Sequence, residues 1–115
     1  MSVATYSIGL NRVAKTLNIA VGDKMTLIEA QNFVKEYKQA VSGIDAKLYT
    51  LHVDCTNMKV LSPEMTESLS SVMALYKETG FGKIICKIQN DAILKMQLSR
   101  LLRNAGLTNV EIVIE

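Results

Sequence analysis

The chain has 115 residues, which is enough for one compact domain and too few for two. Hydrophobic residues make up 49% of it and charged residues 21%, so it can bury a core, and a disordered tail is excluded. A formal net charge of +2 and only 5% aromatic residues disfavour a protein that binds nucleic acid or carbohydrate. We therefore expect a single domain spanning residues 1–115.

The N-terminal part predicts a β-hairpin followed by a helix. Residues 2–10 and 13–21 are rich in β-branched and apolar types, and the second stretch alternates an apolar face with a polar one. Thr26 opens a capping box, so a helix is expected from about Leu27 until Gly43 closes it.

The rest of the chain alternates strands and helices. Strands are predicted over 48–55, 83–89 and 110–114, and helices over 63–79 and from about 91 to 105. The order β-β-α-β-α-β-α-β places the chain in the α/β class, with a mixed sheet, a mainly parallel core and right-handed crossovers. Because each strand carries polar residues on one face, we expect the helices to pack mainly on the other face.

Groups that could support catalysis or bind a metal are few. His52 and Asp54 share a strand face and could act as a general base and its orienting carboxylate, and Cys55 ends the same strand. Alternation places Cys55 on the buried face, so a structural role is favoured over an enzyme built on these three residues. One histidine and two separated cysteines, Cys55 and Cys86, give no metal-ligand spacing, and we expect no enzyme, metal or cofactor.

The sequence shows no sign of secretion or membrane insertion. We see neither a signal peptide nor an apolar run of bilayer length, and both cysteines are expected to be reduced thiols. The basic residues between 83 and 103 fall on different faces of a strand and a helix, which favours a solvated surface over a nucleic-acid site. We expect a cytoplasmic protein.

The loop before the second helix is the most promising contact surface. Met58 lies there beside Val60 and Leu61, and a flexible thioether in a loop is an adaptable contact. Ser62 then suits the N-cap of the second helix, and Pro63 suits its first position.

The stretch from Tyr49 to Leu107 contains a strand ending in Asp54, a loop with Val60 and Leu61, a helix start at Ser62 and Pro63, the strand Lys83-Ile84-Ile85-Cys86, and a helix ending in residues 102–107. In this order of elements it resembles the STAS domain. This is the fold of bacterial anti-sigma-factor antagonists and of the cytoplasmic tails of sulphate transporters. The resemblance implies a small, non-enzymatic interaction module.

The sequence departs from the STAS family at the phosphorylation motif. In that family an Asp-Ser-Ser-Gly type motif precedes the second helix, and a partner anti-sigma kinase phosphorylates the serine after the aspartate. Here Ser62 replaces the aspartate, and Pro63, which has no hydroxyl, occupies the acceptor position. We therefore do not expect the usual switch; Ser62 is the remaining candidate acceptor, and Glu64 supplies a fixed negative charge.

These observations predict a regulatory module that docks a protein partner through the loop and the exposed start of the second helix. A small-molecule or lipid-binding protein, related to CRAL-TRIO-like domains, is the alternative and requires an apolar cavity between helices and sheet. A homodimer through the sheet edge that the hairpin leaves is also open. The expected partner-binding residues are Thr56, Asn57, Met58, Lys59, Ser62 and Glu64.

Overall fold

The structure is a computed structural model that describes residues 6–21, 27–56, 58 and 61–115. These residues form five strands and three α-helices in the predicted order, and the α/β class is confirmed. The elements are β1 (Tyr6–Asn11), β2 (Thr16–Val21), α1 (Leu27–Val41), a short 3-10 helix (Ala46–Leu48), β3 (Thr50–Asp54), α2 (Pro63–Thr79), β4 (Lys83–Ile88), α3 (Ala92–Asn104) and β5 (Val110–Ile114).

The five strands lie in the sheet in the order in which they occur along the chain. β1 and β2 pair antiparallel as a hairpin, and the pairs β2–β3, β3–β4 and β4–β5 are parallel. The three parallel pairings all extend the sheet in one direction, from β2 toward β5. Right-handed crossovers that extend a sheet in one direction place all their helices on the same face of it. The mixed sheet with its helices on one face matches the expectation.

The core lies between that face and the helices. Successive residues of the inner strands alternate between buried and solvent-facing positions, as the period of two requires. Full burial of one such aliphatic side chain contributes about 1.5–3 kcal/mol. The strand residues that are at most 3% exposed are Leu17, Ile19, Leu51, Val53, Ile84, Cys86 and Ile88.

Helices α1 and α2 meet through aromatic side chains. Tyr37 is stacked on Phe33 with ring centroids 6.1 Å apart, and it contacts Tyr76 at 5.5 Å and Phe81 at 6.5 Å. Its hydroxyl lies 2.6 Å from the Thr79 hydroxyl. Since the Thr79 O–H donates to the Leu75 carbonyl at 2.8 Å, the Tyr37 hydroxyl donates to Thr79. The buried ring thus keeps a partner for its polar end.

Two strands begin later in the structure than the sequence patterns predict. The strand predicted over 13–21 begins at Thr16, because the Asn11 side chain accepts from the Val13 and Ala14 amides and turns the chain there. The strand predicted from residue 48 begins at Thr50, after the 3-10 helix. Residues 2–5 and the capping-box residue Thr26 lie outside the described residues.

The chain turns between the end of α2 and Lys83, the first residue of β4. Gly80 closes α2 with φ of 80°, a left-handed conformation that suits glycine. The Gly82 amide donates to the Ala46 and Tyr49 carbonyls at 3.1 and 3.2 Å. A Cβ at Gly82 would collide with the Lys47 carbonyl oxygen. The absence of a side chain at Gly82 therefore lets the two backbone segments pack directly against each other.

Candidate functional site

The chain turns sharply where β3 ends. The Asp54 carboxylate accepts from the Thr56 amide at 2.9 Å and from the Thr56 hydroxyl at 2.6 Å. These two hydrogen bonds hold the pKa of Asp54 below its ordinary value, and the bond from the hydroxyl has the larger effect. The Met58 amide donates to the Cys55 carbonyl at 3.0 Å and continues the turn. The start of the loop is therefore held by local hydrogen bonds.

Met58 was expected to be an exposed contact, and that expectation is wrong. The side chain is only 4% exposed and belongs to the buried core cluster, together with Leu61, which is also buried. Both residues pack into the core, where a flexible thioether fills irregular space. Of the other predicted contact residues in this loop, Asn57, Lys59 and Val60 lie outside the described residues.

The end of the loop is joined to α3. The Leu61 amide donates to Gln97 Oε1 at 2.8 Å, and Gln97 Nε2 donates to the Leu61 carbonyl at 3.2 Å. One side-chain amide thus satisfies both backbone groups of Leu61, and each such bond contributes about 0.5–1.5 kcal/mol. This pairing fixes the entry of the chain into α2.

Ser62 begins α2 as its N-cap, which confirms the prediction from the sequence. Its hydroxyl oxygen accepts from the Met65 amide at 3.2 Å, and Pro63 occupies the first turn. Glu64 lies in the same turn, where a carboxylate interacts favourably with the positive end of the helix. The side chains of Ser62, Pro63 and Glu64 are all exposed. The helix start therefore presents polar groups on a fixed backbone.

Two apolar side chains lie exposed on α3, the helix whose Gln97 pairs with Leu61. Ile93 is 54% exposed and Met96 is 57% exposed. Ile93 precedes Gln97 by four residues, so both project from the same side of the helix, and Met96 lies further around toward solvent. The sequence pattern points instead to the core-facing stripe of α3, which is formed by Leu94, Leu98, Leu101, Leu102 and Ala105. Their position off that stripe was a usable signal.

The three residues of the enzyme hypothesis do not converge. His52 lies beside Asn18 of β2 and Ile85 of β4, and both His52 and Asp54 line a depression of about 330 Å³ on the helix-free face. Cys55 is 2% exposed and belongs to the core on the other face, where burial raises the pKa of its thiol well above the ordinary value. Successive residues of a strand point to opposite faces of the sheet, so the Cys55 thiol lies on the opposite face from the side chains of His52 and Asp54.

Cys86 is buried as well. It is 1% exposed, and burial raises its pKa to about 12, so it is a protonated thiol at neutral pH. Both cysteines are free, not joined in a disulfide. Within the described ranges, no group of three or more histidine, cysteine or acidic side chains is arranged to hold a metal ion.

Part of the basic charge in the last third of the chain is paired. Lys83 and Glu111 approach to 3.4 Å, as do Lys87 and Glu115. All four side chains are about half exposed, so each pair contributes little to stability, about 0–1 kcal/mol. Among the described segments, no helix is both long and apolar enough to span a bilayer.

Comparison with known proteins found no similar one. No protein-family model matches the chain, and searches of curated proteins and of solved structures find no match either. The resemblance to the STAS domain stays a prediction from the sequence.

Proposed function

We propose that the chain is a non-enzymatic, cytoplasmic regulatory module that docks a partner protein. Its docking surface is formed by the loop after β3, the start of α2 and the adjacent outer side of α3. This keeps the predicted site but replaces Met58 as its apolar element. The described residues of the docking surface are Thr56, Ser62, Glu64, Ile93 and Met96.

The observation that carries this proposal is the pairing of Gln97 with Leu61. It ties the loop to the helix that bears Ile93 and Met96, so polar and apolar contact groups are held in one place. A surface whose backbone is already fixed loses little conformational entropy when a partner binds. Apolar side chains surrounded by polar ones also match the usual arrangement of protein interfaces.

The arrangement of the other groups supports a non-enzymatic role. His52 and Asp54 lie on the helix-free face, whereas the nearest thiol, at Cys55, is buried on the opposite face in its protonated form. A nucleophile needs its base within hydrogen-bonding reach, but the Cys55 thiol and the His52 imidazole lie on opposite faces of the sheet.

Ser62 is the candidate site for modification within the docking surface. It is exposed, and its oxygen caps the N-terminus of a 17-residue helix. A phosphate there would add negative charge at the positive end of the helix and new hydrogen-bond acceptors. We propose that such a charge would change affinity for the partner without unfolding α2.

The alternative of an apolar ligand between helices and sheet has less support. The side chains that face one another across this layer belong to one packed cluster. Among the described residues, one surface depression lies on the helix-free face and another opens at the β1 edge of the sheet.

The test is an affinity purification of the tagged protein from its own host with a matched pair of variants. Ile93→Asp with Met96→Asp alters the docking surface, and Val13→Asp is the control because Val13 is 96% exposed in the hairpin turn. We expect a stoichiometric protein partner with the wild type and the control but not with the double variant. Equal recovery with all three, or recovery of no partner, would refute the docking surface.

A further inference from the structure

The outer edge of β1 differs from the other edge of the sheet. Among the described residues, β1 pairs only with β2, so half of its backbone N–H and C=O groups point away from the sheet. Its sequence, YSIGLN, contains neither a charge nor a proline. The β5 edge, by contrast, carries Glu111 and adjoins Glu115, both in ion pairs with β4. Charged side chains protect an edge strand from further pairing, and β1 lacks them.

A groove of about 700 Å³ runs along this edge between β1 and α1. Ile8 and Leu10 line it from the strand, and both are half-buried apolar side chains. The opposite side, here called the α1 wall, consists of residues spaced at three and four positions along one side of the helix. The α1 wall contains Glu29, Asn32, Glu36 and Gln39.

The groove is acidic. Of the described residues that line it, two are carboxylates, Glu29 and Glu36, and none is a lysine or arginine. The Tyr6 hydroxyl forms a hydrogen bond with Glu36, which is the main reason why the pKa of Tyr6 is raised. This contact holds the Glu36 carboxylate beside the end of β1.

We propose that β1 accepts an extended segment of a partner protein as a sixth strand, whose alternate side chains are basic and face the α1 wall. Backbone hydrogen bonds to β1 supply the affinity, and the charge of the α1 wall selects the sequence. This site is distinct from the docking surface at α2 and α3, and it does not depend on that surface.

The same charge argues against a second copy of this chain as the occupant. Two β1 strands paired antiparallel across a dyad normal to the sheet would keep both α1 helices on the same face. Each α1 wall would then approach its own copy and set carboxylate against carboxylate. Like charges placed opposite one another destabilise strand pairing, so a basic strand is the better occupant.

The probe is a fluorescent eight-residue peptide that alternates lysine and threonine, titrated against the full chain at low salt by anisotropy. A peptide with glutamate in place of every lysine is the charge control. Two further peptides carry N-methyl groups at either the lysine or the threonine positions. Successive residues of an added strand point their N–H groups to opposite sides, so only one methylated set should lose binding.

We expect the lysine peptide to bind and the glutamate peptide not to bind. Glu36→Gln, which keeps the hydrogen bond with Tyr6, should weaken the lysine peptide about two- to fivefold. Glu67→Gln, an exposed change on α2, should leave it unchanged. Equal binding of both methylated peptides would show attraction without strand addition and overturn the proposal. So would self-association in sedimentation experiments that the lysine peptide disrupts, because the occupant would then be a second copy.

Discussion

The side-chain amide of Gln97 in α3 pairs with both backbone groups of Leu61, which lies 36 residues earlier in the chain. Replacing Gln97 with leucine leaves the N–H and C=O of Leu61 without that partner. We expect the free energy of unfolding to fall by about 1–3 kcal/mol, measured by urea denaturation. Gln89→Leu, an exposed change just after β4, is the control and should leave stability within about 0.5 kcal/mol. Equal stability of the two variants would show that the pairing contributes nothing.

Met58 and Met96 form a matched pair of opposite environments. Met58 is 4% exposed and Met96 is 57% exposed. Met58→Ala should destabilise the fold by about 2–5 kcal/mol, because it leaves a cavity in the core. Met96→Ala should change stability by less than about 0.5 kcal/mol and should weaken partner binding instead. Thermal denaturation beside a binding assay separates the two effects, and a stable Met58→Ala variant would contradict the buried position of this side chain.

Ser62 stabilises α2 through its hydroxyl oxygen. Ser62→Ala removes the acceptor for the Met65 amide and should cost about 1 kcal/mol. Ser62→Asp keeps an acceptor at the same place and should retain most of the stability, since aspartate is also a good N-cap. Chemical denaturation of both variants measures the difference. If aspartate and alanine are equally destabilising, the cap hydrogen bond is not what serine contributes.

Acid should weaken the turn after β3. The pKa of Asp54 in the folded chain is lowered from the ordinary value of 3.8, because the Thr56 hydroxyl and amide bind its carboxylate. The stability that this gives is fully present above the ordinary value and is lost as the pH falls through the lower, folded value. An NMR titration of the carboxyl carbon should show this low pKa. Thr56→Val removes the hydroxyl donor and should raise it; an unchanged pKa would contradict the assigned hydrogen bond.

Alkali should act on the helix interface through Tyr37. Burial raises its pKa from 10.0 to about 12, so the folded chain holds the phenolic proton more tightly than the unfolded chain does. The resulting stability is present below pH 10 and is lost as the pH rises toward 12. Absorbance of tyrosinate near 295 nm should show Tyr37 ionising only there or on unfolding, together with Tyr76, whose pKa burial also raises well above the ordinary value. Tyr37→Phe should reduce that step by one tyrosine and cost about 1 kcal/mol, through the lost bond to Thr79.

Elements with strong local signals were predictable from the sequence. Ser62-Pro63 and Asp91 fixed the starts of α2 and α3, because capping depends on the side chains at those positions. Strand alternation also predicted the buried faces of β2 and β3. Less predictable were the strand starts at Thr16 and Thr50, which depend on an asparagine turn and a 3-10 helix.

Two features of the candidate site could not be predicted from local sequence patterns. Whether Met58 faces solvent or the core depends on its contacts with distant parts of the chain, and the local sequence does not contain them. The pairing of Gln97 with Leu61 joins residues from two elements, and a glutamine on a helix is ordinarily taken for a solvated residue. By contrast, the exposure of Ile93 and Met96 followed from their place off the α3 stripe.

The agreement between strand order and chain order bears on how the protein is made. Every strand pairs with the strand synthesised just before it, so no strand must wait for a distant partner to leave the ribosome. Each crossover helix can cover its part of the sheet as soon as the next strand is complete. Each parallel pairing closes a stretch of 26 to 34 residues, so the loop-closure entropy is similar at each step and no step has to close the whole chain. The nascent chain can thus add one strand at a time to a sheet that already exists.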